Sequence, residues 1–192
     1  MKIGVLSVQG AVSEHISLLE KCGVEALNVK SIDMLNEVCG LIIPGGESTT
    51  IGKLIELFGL AKSIKERAAS GNLAVFGTCA GMVLMAYEIS DGLENQPRLG
   101  LMNIRVKRNA FGRQRESFEA EIDFNSFTEP LTGVFIRAPL IESAGDNVEI
   151  LAKLPEGIIA ARQGNLLTTS FHPELTDDSR VHQYFAEMCK GI

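Results

Sequence analysis

Phe76-Gly77-Thr78-Cys79-Ala80-Gly81-Met82 closes an apolar run, Leu73 to Phe76, and leads directly into a stretch of helical spacing, Ala80 to Glu88. A cysteine between two glycines at a strand-to-helix junction is the G-x-C-x-G form of the nucleophile elbow, better known with serine. So tight a turn forces its central residue into strained backbone angles, and neighbours without a Cβ make room for it. The turn lifts Sγ clear of the sheet and sets it at a helix N-terminus, where the dipole favours thiolate. The N–H of Ala80 then points to where an oxyanion would develop. A cysteine in a glycine-rich turn is also a common small buried hydrophobe, so the rest of the chain has to supply a base.

Upstream of this turn, strand and helix patterns alternate. Ile3 to Val8 is an apolar run that ends at Gln9-Gly10, and Ser13 to Cys22 has helical spacing at Ile16, Leu19 and Cys22. Ala26 to Val29 and Gly40 to Ile43 read as strands, the second stopped by Pro44-Gly45-Gly46. Ser48 is placed to cap a helix through Ile51, Leu54, Ile55 and Phe58, and Leu60 to about Ser70 reads as another. Continuous apolar strands separated by helices predict a parallel sheet covered on both faces.

Downstream the pattern changes. Short strands at Ile104–Arg108, Ser117–Ile122, Val134–Arg137, Val148–Leu151, Ile158–Ala161 and Leu166–Phe171 predict an antiparallel or mixed extension of the sheet, with Val181 to Cys189 as a closing helix. No repeat or linker interrupts the chain. The expectation is one α/β domain over residues 1–192, with its site beside the C-terminal ends of the strands.

Composition narrows the chemistry. The 192 residues are 45% hydrophobic and 22% charged, which suits one packed core. The net charge of −6 argues against nucleic acid as main partner, because phosphate wants a basic surface. The apolar start, Met1 to Leu6, is too short for a signal core, and no apolar run approaches a membrane span, so a cytoplasmic protein is expected. Four cysteines are scattered without a C-x-x-C pair. Cys22, Cys39 and Cys189 read as small buried hydrophobes, and no metal site has the necessary ligand spacing.

A thiolate that attacks an amide needs a base, and the base needs an orienting group. The chain has three histidines, His15, His172 and His182. His172 lies in Ser170-Phe171-His172-Pro173-Glu174, at the end of an apolar run. Residues two apart on a strand share a face, so His172 and Glu174 are expected to project together, with one ring nitrogen facing Glu174 and the other Cys79. His15, beside Glu14 in the first helix, and His182, on the last, read as solvated. Pro44-Gly45-Gly46-Glu47-Ser48-Thr49-Thr50 lacks the G-K-[ST] ending of a phosphate loop. Alone it is an ordinary strand-to-helix turn, although the N–H of Gly46 is a candidate second oxyanion donor.

These three segments together resemble the triad class I glutamine amidotransferases. Val8-Gln9-Gly10, Arg108-Asn109-Ala110-Phe111-Gly112-Arg113-Gln114, Phe135-Ile136-Arg137-Ala138-Pro139 and Glu174-Leu175-Thr176-Asp177-Asp178 narrow the resemblance to the glutaminase subunits of pyridoxal 5′-phosphate synthase. The likeness covers essentially the whole chain. It implies a doubly wound, flavodoxin-like α/β fold with a mixed, mostly parallel sheet and helices on both faces. It also implies a Cys79-His172-Glu174 triad that forms a glutamyl thioester, with oxyanion N–H groups from Gly46 and Ala80. Gly46-Glu47-Ser48, Arg108, Ile136 and Arg137 would contact glutamine. Arginine suits its α-carboxylate, and Glu47 is a candidate for its α-ammonium. The ammonia would pass to a (β/α)8-barrel synthase arranged in double rings. Pyridoxal 5′-phosphate would be a product of that complex and not a cofactor of this chain.

Two other classes compete. Cysteine hydrolases and chaperone-like proteins of the intracellular peptidase type share the elbow, but there the histidine typically follows the cysteine directly, where this chain has Ala80. A non-catalytic scaffold on the same fold has no need for Cys79, His172 and Glu174 together.

Overall fold

Alternate residues of the inner strands divide between two hydrophobic layers. In β3 (Gly40–Ile43) Leu41 and Ile43 join one layer and Ile42 the other; in β4 (Ala74–Thr78) Val75 joins the first, and Ala74 and Phe76 the second. Strands of this kind need cover on both faces. The computed structural model, which describes residues 1–92, 95–111 and 116–192, shows what provides it. On one face α2 (Ile32–Asn36), α3 (Ser48–Leu57), α4 (Leu60–Ala69) and α5 (Ala80–Met85) contribute Leu35, Ile51, Ile64 and Leu84. On the other, α1 (Val12–Lys21) and α6 (Arg180–Met188) contribute Leu19 and Phe185.

The strands β2 (Glu25–Val29), β1 (Lys2–Leu6), β3, β4 and β12 (Leu166–Thr169) pair in parallel in that order. Beyond β12 the pairing turns antiparallel through β11 (Gly157–Gln163), β9 (Leu140–Ala144) and β6 (Met102–Lys107). β5 (Ala86–Ile89) closes that edge, parallel to β6, and β10 (Glu149–Leu154) pairs with β11. β7 (Ser117–Ile122) and β8 (Leu131–Ile136) form a separate ribbon, whose Phe118 and Phe135 rings stack at 4.7 Å. The expected doubly wound, mixed, mostly parallel sheet with helices on both faces is the architecture observed. Because the parallel strands run the same way, the segments after β1, β3, β4 and β12 gather at one edge.

Several elements differ from expectation. The helix expected over Ala80–Glu88 ends at Met85, and the strand expected to reach Phe171 ends at Thr169. α2 and β9 had no periodic signal. In the segment Arg108 to Gln114, Gly112, Arg113 and Gln114 lie outside the described residues.

Candidate active site

Cys79 joins β4 to α5 with φ 49° and ψ −101°, a conformation that a residue with a Cβ adopts only under constraint. Its N–H donates to the carbonyl of Thr169 at 2.8 Å, which ties the elbow to β12. The flanking glycines are dictated by packing. A Cβ on Gly77 would stand 2.6 Å from the carbonyl carbon of Gly81 and 2.7 Å from Sδ of Met85, and one on Gly81 would overlap the carbonyl oxygen of Ile43.

His172 and Glu174 do meet, but not across a strand face. β12 has ended, and His172 precedes a single 3-10 turn, Pro173–Leu175, that folds Glu174 back beneath the ring. Nδ1 of His172 lies 2.7 Å from Oε1 of Glu174, and the carboxylate is buried. The backbone N–H of His172 donates to Val134 of β8 at 2.8 Å, so the ribbon also holds the histidine. Burial works to lower the ring's pKa. Hydrogen bonds to Cys79 and Glu174, and the charges on both, outweigh it and raise the value to about 10. The ring is therefore imidazolium at neutral pH.

A cavity of about 360 Å³ opens over Cys79 and His172. Its lining includes every residue predicted to contact substrate: Gly46, Glu47, Ser48, Ala80, Arg108, Ile136 and Arg137. Glu174 lies behind His172, outside the lining. The N–H of Ala80 is the first of α5 and has no acceptor within its own helix. Gly45 presses on the His172 ring, since a Cβ there would overlap Cε1. The carbonyl of Ile136 lies 3.8 Å from Sγ of Cys79.

The cap of α3 is Glu47, not Ser48. Its carboxylate accepts from the N–H groups of Thr49 at 3.0 Å and Thr50 at 2.7 Å, and from the Thr50 hydroxyl at 2.7 Å. Burial pulls its pKa upward, but these hydrogen bonds prevail and hold it at about 2. Three of roughly four acceptor positions on the carboxylate are thus committed to the turn, leaving little for a ligand ammonium. Ser48 is the first helical residue, and its hydroxyl accepts from Gln96 at 3.2 Å. Arg108 reaches the cavity rim with Nη2 on the carbonyl of Asp91 at 3.0 Å, while its buried Nε has no hydrogen-bond partner among the described residues. Arg137 is exposed, with φ 44° and its N–H on the carbonyl of Glu116 at 2.7 Å.

Sequence reasoning missed four residues around this site. Gln9 accepts from the N–H of Glu47 at 3.1 Å and so fixes the Gly46-Glu47 peptide; Val8-Gln9-Gly10 was its only signal. Asp91 anchors Arg108 through its backbone N–H at 2.9 Å. His15 and His182 are not solvated: both are fully buried, one against the other, behind Glu174. A carboxylate two residues after one histidine gave no hint of two more.

A family profile described as the SNO glutamine amidotransferase family matches residues 5–191. The chain is 54% identical over 190 residues to a protein named pyridoxal 5′-phosphate synthase subunit PdxT from a Geobacillus species, with 99% of this chain and 97% of the relative covered. It is 53% identical over 194 residues to the protein of the same name from Carboxydothermus hydrogenoformans, across the whole of both chains. A crystal structure described as a glutamine amidotransferase superposes with a TM-score of 0.93 at 47% identity, covering 99% of each chain.

Proposed function

The chain belongs to the SNO glutamine amidotransferase family, and we infer that it is the glutaminase subunit of a pyridoxal 5′-phosphate synthase, working through Cys79, His172 and Glu174. The observation that carries the residue assignment is that Cys79 and His172 line one cavity of ligand size while Nδ1 of His172 is bonded to the buried Glu174. In this reading residues 1–192 act as one amidotransferase domain.

The side-chain carboxamide of L-glutamine lies over Cys79. With the proton of the Cys79–His172 pair on the ring, as its raised pKa favours, the sulfur of Cys79 attacks the carboxamide carbon. The oxygen, now negative, takes hydrogen bonds from the N–H groups of Gly46 and Ala80. His172 returns the proton to the leaving nitrogen, the C–N bond breaks, and ammonia departs from a glutamyl thioester. Water then gives a proton to His172 and attacks the thioester; the C–S bond breaks, glutamate leaves, and the Cys79–His172 pair returns to its starting state. Glu174 holds Nδ1 of His172 throughout, as the third member of a triad does. Arg108 and Arg137, at the rim, are suited to the α-carboxylate of glutamine. Glu47 contributes by fixing the turn that carries Gly46.

The name borne by the relatives supports a partner subunit that receives the ammonia. The resemblance makes that partner a (β/α)8 barrel in a large double-ringed hetero-oligomer, in a cytoplasmic setting. It also implies a glutaminase that is weak until docked, and in our reading docking organises the oxyanion turn at Gly45 and Gly46. Among the described residues no helix is long and apolar enough to cross a membrane.

The test is glutamate release from glutamine, with and without the cognate synthase, for wild type and Cys79→Ala. Release that the synthase stimulates and that the variant loses is expected. Strong release indifferent to the synthase would detach the chemistry from that partner, and no release in either condition would overturn the reading.

A further inference from the structure

Glu174 has two carboxylate oxygens, and the triad uses one. Oε1 lies on Nδ1 of His172; Oε2 is buried, makes no hydrogen bond of good geometry among the described residues, and has Nε2 of His15 at 3.5 Å. His15 comes from α1, and its Nδ1 is 2.8 Å from Nε2 of His182 on α6. The hydroxyl of Thr78, next to the nucleophile, is 3.4 Å from Nε2 of His15. Cys79, His172, Glu174, His15 and His182 therefore run inward in single file, and the last two are fully buried.

One arrangement of ring protons fits this file. An ionised carboxylate accepts and does not donate, so the nitrogen of His15 that faces Glu174 carries the proton. Burial, and then the nearby rings of His182 and His172, keep His15 well below the ordinary imidazole range, so it is neutral with that single proton. Its Nδ1 is then bare and accepts from Nε2–H of His182. His182 is likewise neutral, lowered by burial to about 4, and is left with a bare Nδ1. That is the nitrogen found without a hydrogen-bond partner among the described residues. The reverse arrangement would set a lone pair of His15 against the carboxylate and bury an N–H of His182 with no acceptor, the costlier defect.

Resting on the triad reading above, we propose that His15, backed by His182, is a positioning residue that holds Glu174 by Oε2, so that Oε1 stays on Nδ1 of His172 through the catalytic cycle. A carboxylate held at one oxygen can swing about its last bond; a donor at the other oxygen fixes its plane. The titratable groups that face this file are few. Cys79 and His172 lie in front, and Glu14 and Lys21 of α1 and Asp177 share the shallow surface depression beside Glu174.

The experiment measures pH profiles of glutamate release by the full chain with its synthase partner. Rates are normalised to intact sites, counted as Cys79 alkylated by iodoacetamide and resolved by peptide mass spectrometry. His15→Leu is expected to lower kcat about tenfold while KM stays within about twofold. It should also move the acidic limb of kcat/KM up by about one pH unit, because a buried carboxylate that loses a donor is protonated more readily. His15→Gln offers an amide N–H to Glu174 and a carbonyl to His182, and should restore both parameters most of the way. A merely structural role would scale rate with intact sites and leave the limb in place. If His15→Leu does not fold, His182→Leu carries the test: it frees the His15 tautomer and should move the limb in the same direction by less. A limb unmoved in whichever variant folds overturns the proposal. Cys79→Ala and His172→Asn, run alongside, separate the two levels. Release that survives them removes the triad itself. Release they abolish, with an unmoved limb in His15→Leu, removes only the role of His15.

Discussion

A β-carbon on Gly45 would overlap Cε1 of His172 and come within 3.0 Å of its Nδ1. Gly45→Ala is therefore expected to push the ring out of line and lower glutaminase kcat about a hundredfold, the scale of an ångström's misplacement at a reacting centre. The thermal midpoint should change much less, because the turn is near the surface. Glutamate release and a melting curve on the same preparation check both. His172 itself offers a titration. Its folded value of about 10 lies above the ordinary 6.5. The stabilisation from its charge is therefore complete below about 6.5 and is lost as pH rises through about 10. Glu174→Gln removes one partner that raises the value, so the ring's midpoint, followed by NMR, should fall; an unchanged midpoint would uncouple the two residues. At this scale the gathering of Cys79, His172 and Glu174 was legible, because cysteine between glycines and histidine near glutamate are local patterns. His15 and His182 were not, since a histidine on a helix looks alike whether it faces water or a buried carboxylate.

Among the elements, α3 and α5 show what the chain could and could not announce. The start of α3 was expected at the right place with the wrong cap. Glu47 reaches the N–H groups of Thr49 and Thr50 and so orders the turn beside Gly46. Glu47→Ala should destabilise the protein by about 1 kcal/mol, the usual worth of an N-cap. Because Gly46 rides on the same turn, KM for glutamine should rise as well; calorimetry and initial rates read the two effects. α5 was expected to run to Glu88 and stops at Met85. The carbonyl of Leu84, which a longer helix would have used internally, instead accepts from the N–H of Leu99 at 2.7 Å, and that of Met85 from Leu101 at 2.8 Å. A competitor more than a dozen residues away decides that boundary, and spacing within the helix cannot register it. α2 was missed for the opposite reason: five residues capped by Ser31 are too few to show a period.

For the molecule as a whole, a parallel sheet covered on both faces and the edge at which the cavity over Cys79 opens were legible, because continuous apolar strands alternating with helices leave few arrangements. How the second half folds back was not, since β9 owes its place to β6 and β11, pairings distant in sequence. β1, β3, β4 and β12 deliver their ends to the edge where Cys79 sits, and Cys79 is held there at φ 49° and ψ −101°. Glycine adopts such angles at ease, whereas a side chain there stores about 1–3 kcal/mol. Cys79→Gly should consequently melt at a higher temperature than wild type while losing all turnover, which paired melting and activity assays would show. Position 79 is then a place where two kinds of breeding diverge. A lineage selected only for endurance would drift from cysteine, and a lineage that keeps it records continuing demand for the reaction.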